Sequence, residues 1–272
     1  MSNCDSLVSA SDLQDCLEDV VVVDCRFSLM DPGAGARAHA EGHIPGAHYL
    51  HLERDLSGPV GEHGGRHPLP DAAVFVDRLA TLGIDRSTAV VAYDDNGFMP
   101  AARLWWMLRA LGYLNVRLLD GGIQAWLAVG GKLDTDSARG EAVPPPVVGD
   151  YGGKCDIEGV RSAMAAGAQV LDSRDAARYQ GLEEPIDPIA GHIPGALNLP
   201  WQGVTDSQGF ALDEEAQLRR LAILEEDRQL VVYCGSGVSA CVNLFALHLV
   251  GREGATLYAG SWSDWCSYGM PA

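Results

Sequence analysis

Three short blocks of this chain occur twice in the same order. An Asp-x-Arg triplet, the hexapeptide Gly-His-Ile-Pro-Gly-Ala and a valine-containing run that ends in tyrosine stand at 24–26, 42–47 and 90–93, and again at 172–174, 191–196 and 230–233. The copies are about 140 to 150 residues apart. Chance does not preserve both order and spacing, so the chain is a tandem duplication of two domains of ordinary size.

Each half alternates short β-branched runs with longer apolar stretches, a pattern that predicts strands followed by helices. The predicted strands are 20–24, 89–93 and 116–119 in the first half and 169–172, 230–233 and 255–258 in the second. Helices are predicted at 101–111 and 240–250, with Gly112 and Gly251 as C-terminal caps. This succession predicts an α/β fold in both halves, each a central, mostly parallel sheet flanked by helices.

The join between the halves is predicted from composition. Paired glycines and a run of three prolines interrupt a polar stretch without helical or strand periodicity. We therefore predict a first domain at 1–133, a semi-rigid linker at 134–153 and a second domain at 154–272.

Charge and cysteine usage exclude several classes of protein. A net charge of −18 argues against nucleic acid or an anionic membrane as partner. No stretch reaches the roughly 18 apolar residues of a membrane span, and the N-terminus is acidic where a secretory signal would be basic. Seven cysteines without a Cys-x-x-Cys pair predict reduced thiols, no metal or organic cofactor, and a cytoplasmic location.

Cys234 stands between a predicted strand and the start of a predicted helix. There the backbone N–H groups of a tight loop and of the helix N-terminus point inward and stabilise a thiolate. Gly235 and Gly237 allow the loop a positive φ or a close approach to the sulfur. The alternative is a buried packing cysteine. The other six cysteines lack this context, and for each of them we expect a packing or a surface position.

The repeated blocks, the Cys234 loop in the second half alone and the Gly-Ser-Trp-Ser-Asp-Trp run at 260–265 resemble the two-domain rhodanese-type sulfurtransferases over about residues 7–265. The resemblance implies that Cys234 accepts a sulfur atom, holds it as a persulfide and passes it to cyanide or a thiol. A thioredoxin-like reductant is one such thiol acceptor. It also implies an inactive first domain. Alignment of the repeats places Asp94 at the position of Cys234, and a carboxylate cannot carry that sulfur.

The loop composition bears on the sulfur donor. Neutral Gly235 and Ser236 resemble the loop of 3-mercaptopyruvate sulfurtransferases, whereas thiosulfate-specific members usually carry Arg and Lys there. Ser236 can relay a proton or donate to a developing enolate. Val238 and Ser239 complete the predicted substrate-binding loop, Ser239 replacing a more common Thr. Mercaptopyruvate is therefore the preferred donor, and thiosulfate is the alternative.

A substrate carboxylate requires a cation, and Arg178 matches the family's substrate-binding arginine. The mercaptopyruvate enzymes carry a second arginine nine positions later, where this chain has Asp187. Arg174 is the nearest substitute along the chain. Its alternative is a structural ion pair with Asp172.

His43 corresponds, by the resemblance, to a histidine that works with the loop serine, and Asp31 is a candidate acidic partner. His192 holds the equivalent place in the other repeat, so a role in anchoring the turn is the alternative. Four other histidines lack metal-site spacing and are predicted to lie in a surface loop: His48, His51, His63 and His67.

Two tryptophans, the residue at position 240 and the Cys234 loop each bear on a further alternative. Trp262 and Trp265 either line the mouth of the site or pack in the core. A cysteine phosphatase would need an arginine at Ala240, so phosphate chemistry is disfavoured. A non-enzymatic sulfur carrier or interaction module would lack turnover with a small-molecule donor.

Overall fold

The computed structural model describes residues 6–138 and 140–269, which form two compact units. Within these residues, the first unit contains the chain up to Gly58 together with Leu69–Gly152 and Thr205–Ala211. The second unit contains Pro59–Pro68, Gly153–Val204 and the chain from Leu212 onward. The main division falls at the end of the predicted linker, but each unit also includes a short segment from the opposite half. The predicted domains are consecutive ranges of the sequence, so they do not include these two segments.

The first unit is a parallel sheet with helices. Its strands, in the described residues, are β1 (Leu7–Val8), β2 (Val21–Asp24), β3 (His48–Tyr49), β4 (Val90–Tyr93) and β5 (Val116–Leu119). Its helices are α1 (Ala10–Asp15), α2 (Ala34–Glu41), α3 (Ala72–Thr81), α4 (Ala101–Ala110) and α5 (Gly122–Ala128). The order across the sheet is β1-β5-β4-β2-β3, with every pairing parallel.

The second unit repeats this arrangement. Its strands are β6 (Lys154–Cys155), β7 (Gln169–Asp172), β8 (Leu197–Asn198), β9 (Leu230–Tyr233) and β10 (Thr256–Tyr258). Its helices are α6 (Ile157–Ala165), α7 (Ala176–Tyr179), α8 (Glu214–Leu221), α9 (Ala240–Leu249) and α10 (Ser261–Ser267). The sheet order β6-β10-β9-β7-β8 matches that of the first unit position by position, again with parallel pairing.

The predicted α/β class is confirmed, and the element bounds differ from prediction by at most one residue at the central strands. β5, β7 and β9 have the predicted bounds, because most of their residues are apolar and buried between neighbouring strands. Gly112 and Gly251 follow α4 and α9 with φ of 84° and 76°, as expected of C-terminal caps. The outer strands β1, β3, β6 and β8 have two residues each, too short to show periodicity.

The repeated Asp-x-Arg triplet fastens the end of a central strand to the repeated hexapeptide. In the first unit, the buried Arg26 binds both carboxylate oxygens of Asp24 and donates to the carbonyl of Gly42 at 2.8 Å. Arg174 makes the same contacts in the second unit, to Asp172 and to the first glycine of the second hexapeptide. The repeated blocks therefore hold the fold together in both copies.

The same hexapeptides contact the tyrosines that end β4 and β9. The hydroxyl oxygen of Tyr93 accepts from the Ile44 N–H at 3.4 Å, and that of Tyr233 accepts from the Ile193 N–H at 3.1 Å.

Among the residues that the structure describes, none of the helices combines the length and apolar character needed to cross a membrane.

We expect Asp24→Asn to destabilise the fold in a pH-dependent way. Burial alone would raise the pKa of the Asp24 carboxyl, but hydrogen bonds from His39 and Arg26 hold this pKa below its ordinary value. Such a carboxyl stabilises the fold above its unfolded pKa, and the stabilisation is lost as the pH falls through the folded value. Asp24→Asn should lower the free energy of unfolding by about 3 kcal/mol at pH 7, with a smaller difference below about pH 4.

Urea unfolding of both proteins across this pH range measures the effect. Asp31→Asn is the matched control, because Asp31 forms an exposed ion pair with Arg37 in the same unit and should change stability by less than about 1 kcal/mol. Equal losses in the two variants would contradict the role given to the buried pair.

Candidate active site

Cys234 lies directly after β9, at the carboxyl edge of the second sheet, and is 1% exposed. Its backbone N–H donates to Ser261 Oγ at 3.1 Å, and its carbonyl accepts from the Trp262 N–H at 2.9 Å. The start of α10 therefore fixes the backbone of the cysteine. Helix α9 begins six positions later, at Ala240, so the predicted strand, loop and helix surround this residue as expected.

The loop after Cys234 contains unused hydrogen-bond donors. The backbone N–H groups of Gly235, Ser236, Val238 and Ser239 have no acceptor among the described residues. Such a row of donors binds negative charge on a sulfur or on a substrate. The geometry supports the predicted anion-binding loop.

The first unit has a loop at the same position, but there the donors are used. The carboxylate of Asp94 accepts from the N–H groups of Asn96 at 2.9 Å, Phe98 at 3.1 Å and Ala101 at 2.9 Å. Burial raises the pKa of this carboxyl to about 6, although these backbone bonds oppose the shift. The side chain thus fills its own anion site, which supports the prediction of an inactive first domain.

The two loop glycines meet different requirements. Gly237 has a φ of 74°, and a Cβ there would lie 2.2 Å from the carbonyl oxygen of Ala259. Gly235 has no positive φ, but a Cβ would lie 2.5 Å from Nη2 of Arg66. Positive φ explains the first glycine, and close approach of a guanidinium explains the second.

Ser236 is hydrogen-bonded to a histidine, and that histidine is His67. Its Nδ1 lies 2.8 Å from Ser236 Oγ, and its side chain is buried. The surface prediction is wrong for His67 and for the buried His51, whose Nε2 contacts the carbonyl of Pro32. No local pattern identified His67, because its partner is 169 residues away along the chain.

The segment Pro59–Pro68 is fixed to the second unit by contacts with α10. The Gly64 N–H donates to Asp264 Oδ1 at 2.6 Å, and the Arg66 N–H donates to Ser263 Oγ at 3.2 Å. These bonds place the following histidine beside the Cys234 loop.

His43 belongs to the first unit and contacts backbone carbonyls there. Its Nδ1 lies 2.7 Å from the oxygen of His39, its Nε2 lies 3.1 Å from that of Asp136, and its ring stacks on His39. His192 has a similar place in the second unit, where it stacks on Tyr179 and its Nδ1 contacts the carbonyl of that residue. The catalytic role of His43 stays a prediction, and these contacts support the alternative of a turn anchor.

Arg178 lies in a network of alternating charges in the second unit. It donates to both carboxylate oxygens of Glu184, at 3.2 and 2.7 Å, and to Asp187 at 2.9 Å. Arg66 binds the other oxygen of Asp187, and Arg174 binds Glu184. We define the charge network as the side chains of Asp172, Arg174, Glu184, Arg178, Asp187 and Arg66.

The carboxylates of the network are buried, whereas the side chains of Arg178 and Arg66 are 13% and 23% exposed. Burial raises the pKa of the Asp187 carboxyl, although Arg66 and Arg178 oppose the shift. Burial alone would raise the pKa of Glu184, but hydrogen bonds from Arg178 and from the Asp187 and Ile186 N–H groups hold it below its ordinary value. Burial opposes the charge of Arg174, yet bonding to Asp172 raises its pKa. The side chain of Arg174 is 1% exposed, which favours a structural ion pair with Asp172 over substrate binding.

Other cysteines lack the properties of a nucleophile. Burial raises the pKa of Cys155 to about 12 and that of Cys266 to about 11. Burial also raises the pKa of Cys25 well above its ordinary value, with Asp24 adding to the shift.

No group of histidine, cysteine and acidic side chains in residues 6–138 and 140–269 is arranged to hold a metal ion.

The two tryptophans near the C-terminus pack in the core of the second unit. Both are buried, and Nε1 of Trp262 donates to the carbonyl of Ile189 at 2.9 Å. The guanidinium of Arg174 lies 4.9 Å from the centre of the Trp262 ring. The geometry supports packing for Trp262 and Trp265.

Comparison with protein families gives a match to the rhodanese-like domain at residues 9–129 and again at 157–268. A relative from Pseudomonas aeruginosa, named as a probable 3-mercaptopyruvate sulfurtransferase, is 46% identical over 91% of this chain and 89% of its own length. A Mycobacterium tuberculosis relative with the provisional name thiosulfate sulfurtransferase SseB is 38% identical over 96% of this chain and 94% of its own.

Solved structures resemble both halves of the chain. The 3-mercaptopyruvate sulfurtransferase from Leishmania major has a TM-score of 0.83 at 30% identity and covers 96% of this chain and 74% of its own. Escherichia coli SseA, described as a 3-mercaptopyruvate sulfotransferase, has a TM-score of 0.81 at 28% identity and covers 95% and 99% of the two chains.

We expect Gly237→Ala to destabilise the second unit more than a substitution at a comparable glycine. The added Cβ would lie too close to a backbone carbonyl, and the alanine would also be held at a positive φ. Together these effects should lower the free energy of unfolding by about 3 kcal/mol. Gly254→Ala is the matched control, since Gly254 has a φ of 88° with open space around it and should cost about 1 kcal/mol. Urea unfolding measures both values, and equal values would contradict the close contact with Ala259.

Proposed function

Because the chain belongs to the rhodanese family and carries the family's domain twice, we propose that it is a sulfurtransferase that moves sulfur from 3-mercaptopyruvate through Cys234 to cyanide or a thiol. The observation that carries this proposal is the row of unused N–H donors beside Cys234, together with the Ser236–His67 hydrogen bond. The equivalent loop of the first unit has a carboxylate in this position and cannot perform the reaction.

The proposed first step is attack of the Cys234 thiolate on the thiol sulfur of 3-mercaptopyruvate. A sulfur–sulfur bond forms as the carbon–sulfur bond breaks, and the bonding electrons remain on carbon as the enolate of pyruvate. Protonation of that carbon releases pyruvate. In the second step cyanide attacks the outer sulfur of the persulfide, thiocyanate leaves, and the Cys234 thiolate is restored.

Ser236 and His67 are suited to supply the proton that the enolate requires. The serine hydroxyl follows the nucleophile by two positions and is hydrogen-bonded to His67 Nδ1, which can return a proton to it. The loop N–H groups stabilise the developing negative charge. Val238 and Ser239 contribute through these backbone groups.

The charge network favours a monoanionic donor. Its three arginines are matched by three carboxylates, so it provides no net positive charge for dianionic thiosulfate. Mercaptopyruvate carries one carboxylate. Thiosulfate is the second candidate donor, since a relative at 38% identity carries the name of a thiosulfate sulfurtransferase.

The persulfide on Cys234, a thioredoxin-like reductant as acceptor and a cytoplasmic location are parts of the same proposal. A persulfide beside unused N–H groups would be stabilised as an anion. A thiol acceptor would take the outer sulfur as cyanide does. A non-enzymatic carrier would form the persulfide without turnover.

We expect kcat/KM to be higher for 3-mercaptopyruvate than for thiosulfate, with cyanide as acceptor. Cys234→Ala should abolish activity with both donors, because no sulfur acceptor remains. The matched control is Cys241→Ala, since Cys241 is a buried cysteine of the same unit whose Sγ contacts the Gly237 carbonyl. Mass spectrometry after donor treatment should find one added sulfur atom in the wild type and in the control.

A preference for thiosulfate would overturn the choice of donor. A persulfide that forms without turnover of either donor would support the carrier alternative. Activity retained in Cys234→Ala would contradict the assignment of the nucleophile.

We expect Ser236→Ala and His67→Ala each to lower kcat with 3-mercaptopyruvate by about 100-fold, because the enolate then lacks its proton source. The loss with thiosulfate should be smaller, since sulfite leaves without protonation at carbon. His63→Ala is the control, because His63 is an exposed histidine of the same segment that contacts Ser267. Steady-state kinetics with both donors provides the comparison, and equal losses would argue against a proton relay.

A further inference from the structure

Two guanidinium groups of the second unit meet over the Cys234 loop at Gly235. Nη2 of Arg66 lies 2.5 Å, and Nη1 of Arg178 3.4 Å, from the point that a Cβ on Gly235 would occupy. The two nitrogens are therefore less than about 6 Å apart. One carboxylate can bridge such a gap, because each of its oxygens accepts a hydrogen bond of about 2.8 Å.

The nitrogens at this point are the ones that the charge network leaves unused. Arg178 donates to Glu184 and Asp187 through Nε and Nη2, and Arg66 donates to Asp187 through Nη1. Arg178 Nη1 and Arg66 Nη2 have no acceptor among the described residues. Arg66 Nε is also buried without a partner in this part of the chain.

Asp187 determines where both guanidinium groups lie. Its two carboxylate oxygens bind Arg66 and Arg178 separately, and its side chain is 4% exposed. Position 187 is where the mercaptopyruvate enzymes carry their second arginine. This chain replaces that cation with an anion, and the anion holds a cation supplied by Pro59–Pro68.

We propose that Arg66 is a specificity-determining residue of the sulfur donor site, and that it binds the donor's carboxylate together with Arg178. This inference rests on the proposed function, because it identifies the group that selects a 2-oxo acid thiol. Arg66 replaces the cation that is missing at position 187. The absence of a side chain on Gly235 leaves room for its guanidinium.

The experiment compares carboxylate and neutral ligands in Arg66→Ala, Arg66→Lys and the wild type. Pyruvate is the anionic probe, and pyruvamide has nearly the same shape without the charge. Arg66→Ala should raise the KM for 3-mercaptopyruvate and the Kd for pyruvate by about 10- to 100-fold, with little change in kcat. The Kd for pyruvamide should not change. Arg66→Lys should give intermediate values, because it keeps the charge and loses the fork.

Arg219→Ala is the control, because Arg219 forms an exposed pair with Glu215 on α8 of the same unit. It should alter none of these constants. Calorimetric binding to Cys234→Ala measures the pyruvate Kd without turnover, so this result does not depend on the choice of donor. If the wild type does not turn over 3-mercaptopyruvate but Arg66→Ala still weakens pyruvate binding, the donor proposal fails and the carboxylate site stands.

Two results would overturn the inference. In the first, pyruvate binds equally to the wild type and Arg66→Ala, or does not bind the wild type. In the second, Arg66→Ala lowers the Tm and weakens the binding of pyruvate and of neutral pyruvamide to the same extent. Arg66 would then have a structural role alone.

Discussion

Buried ionic pairing underlies the candidate site. The charge network runs from Asp172, at the end of β7, to Arg66 in the segment Pro59–Pro68. Buried charges are tolerated only with close partners, and loss of one leaves its neighbour unpaired at a cost of about 3 to 5 kcal/mol. Each member therefore fixes the position of the next.

The duplicated frame shows how one loop supports two outcomes. After β4, the carboxylate of Asp94 accepts three backbone N–H bonds, so the first unit satisfies its own donors. After β9, a cysteine occupies this position, and four N–H groups of the loop have no acceptor among residues 6–138 and 140–269. The sheet order and the Asp-x-Arg contacts are the same in both units. The chemical difference between the copies therefore comes from side chains in the loop rather than from the fold.

Sequence patterns predicted the parts of the site that depend on near neighbours. The strand, the loop glycines and the helix around Cys234 were predicted correctly, since each depends on residues a few positions away. The prediction for His67 was wrong because a polar, glycine-rich segment without periodicity looks like an exposed loop. His43 was predicted as a catalytic residue from the family resemblance, and the structure places it against backbone carbonyls of its own unit.

The sequence by itself determined the duplication and the rhodanese-like α/β class of each half, and it predicted Cys234 as the nucleophile. These properties follow from local periodicity and from repeated motifs. Both are present in the sequence itself, so they do not depend on contacts between distant residues. Only the tertiary structure decided which histidine contacts Ser236 and which cation accompanies Arg178 at Gly235. Both come from Pro59–Pro68, a segment of the first half that belongs to the second unit. Hydrogen bonds and ion pairs between residues more than a hundred positions apart leave no periodic signal in the chain.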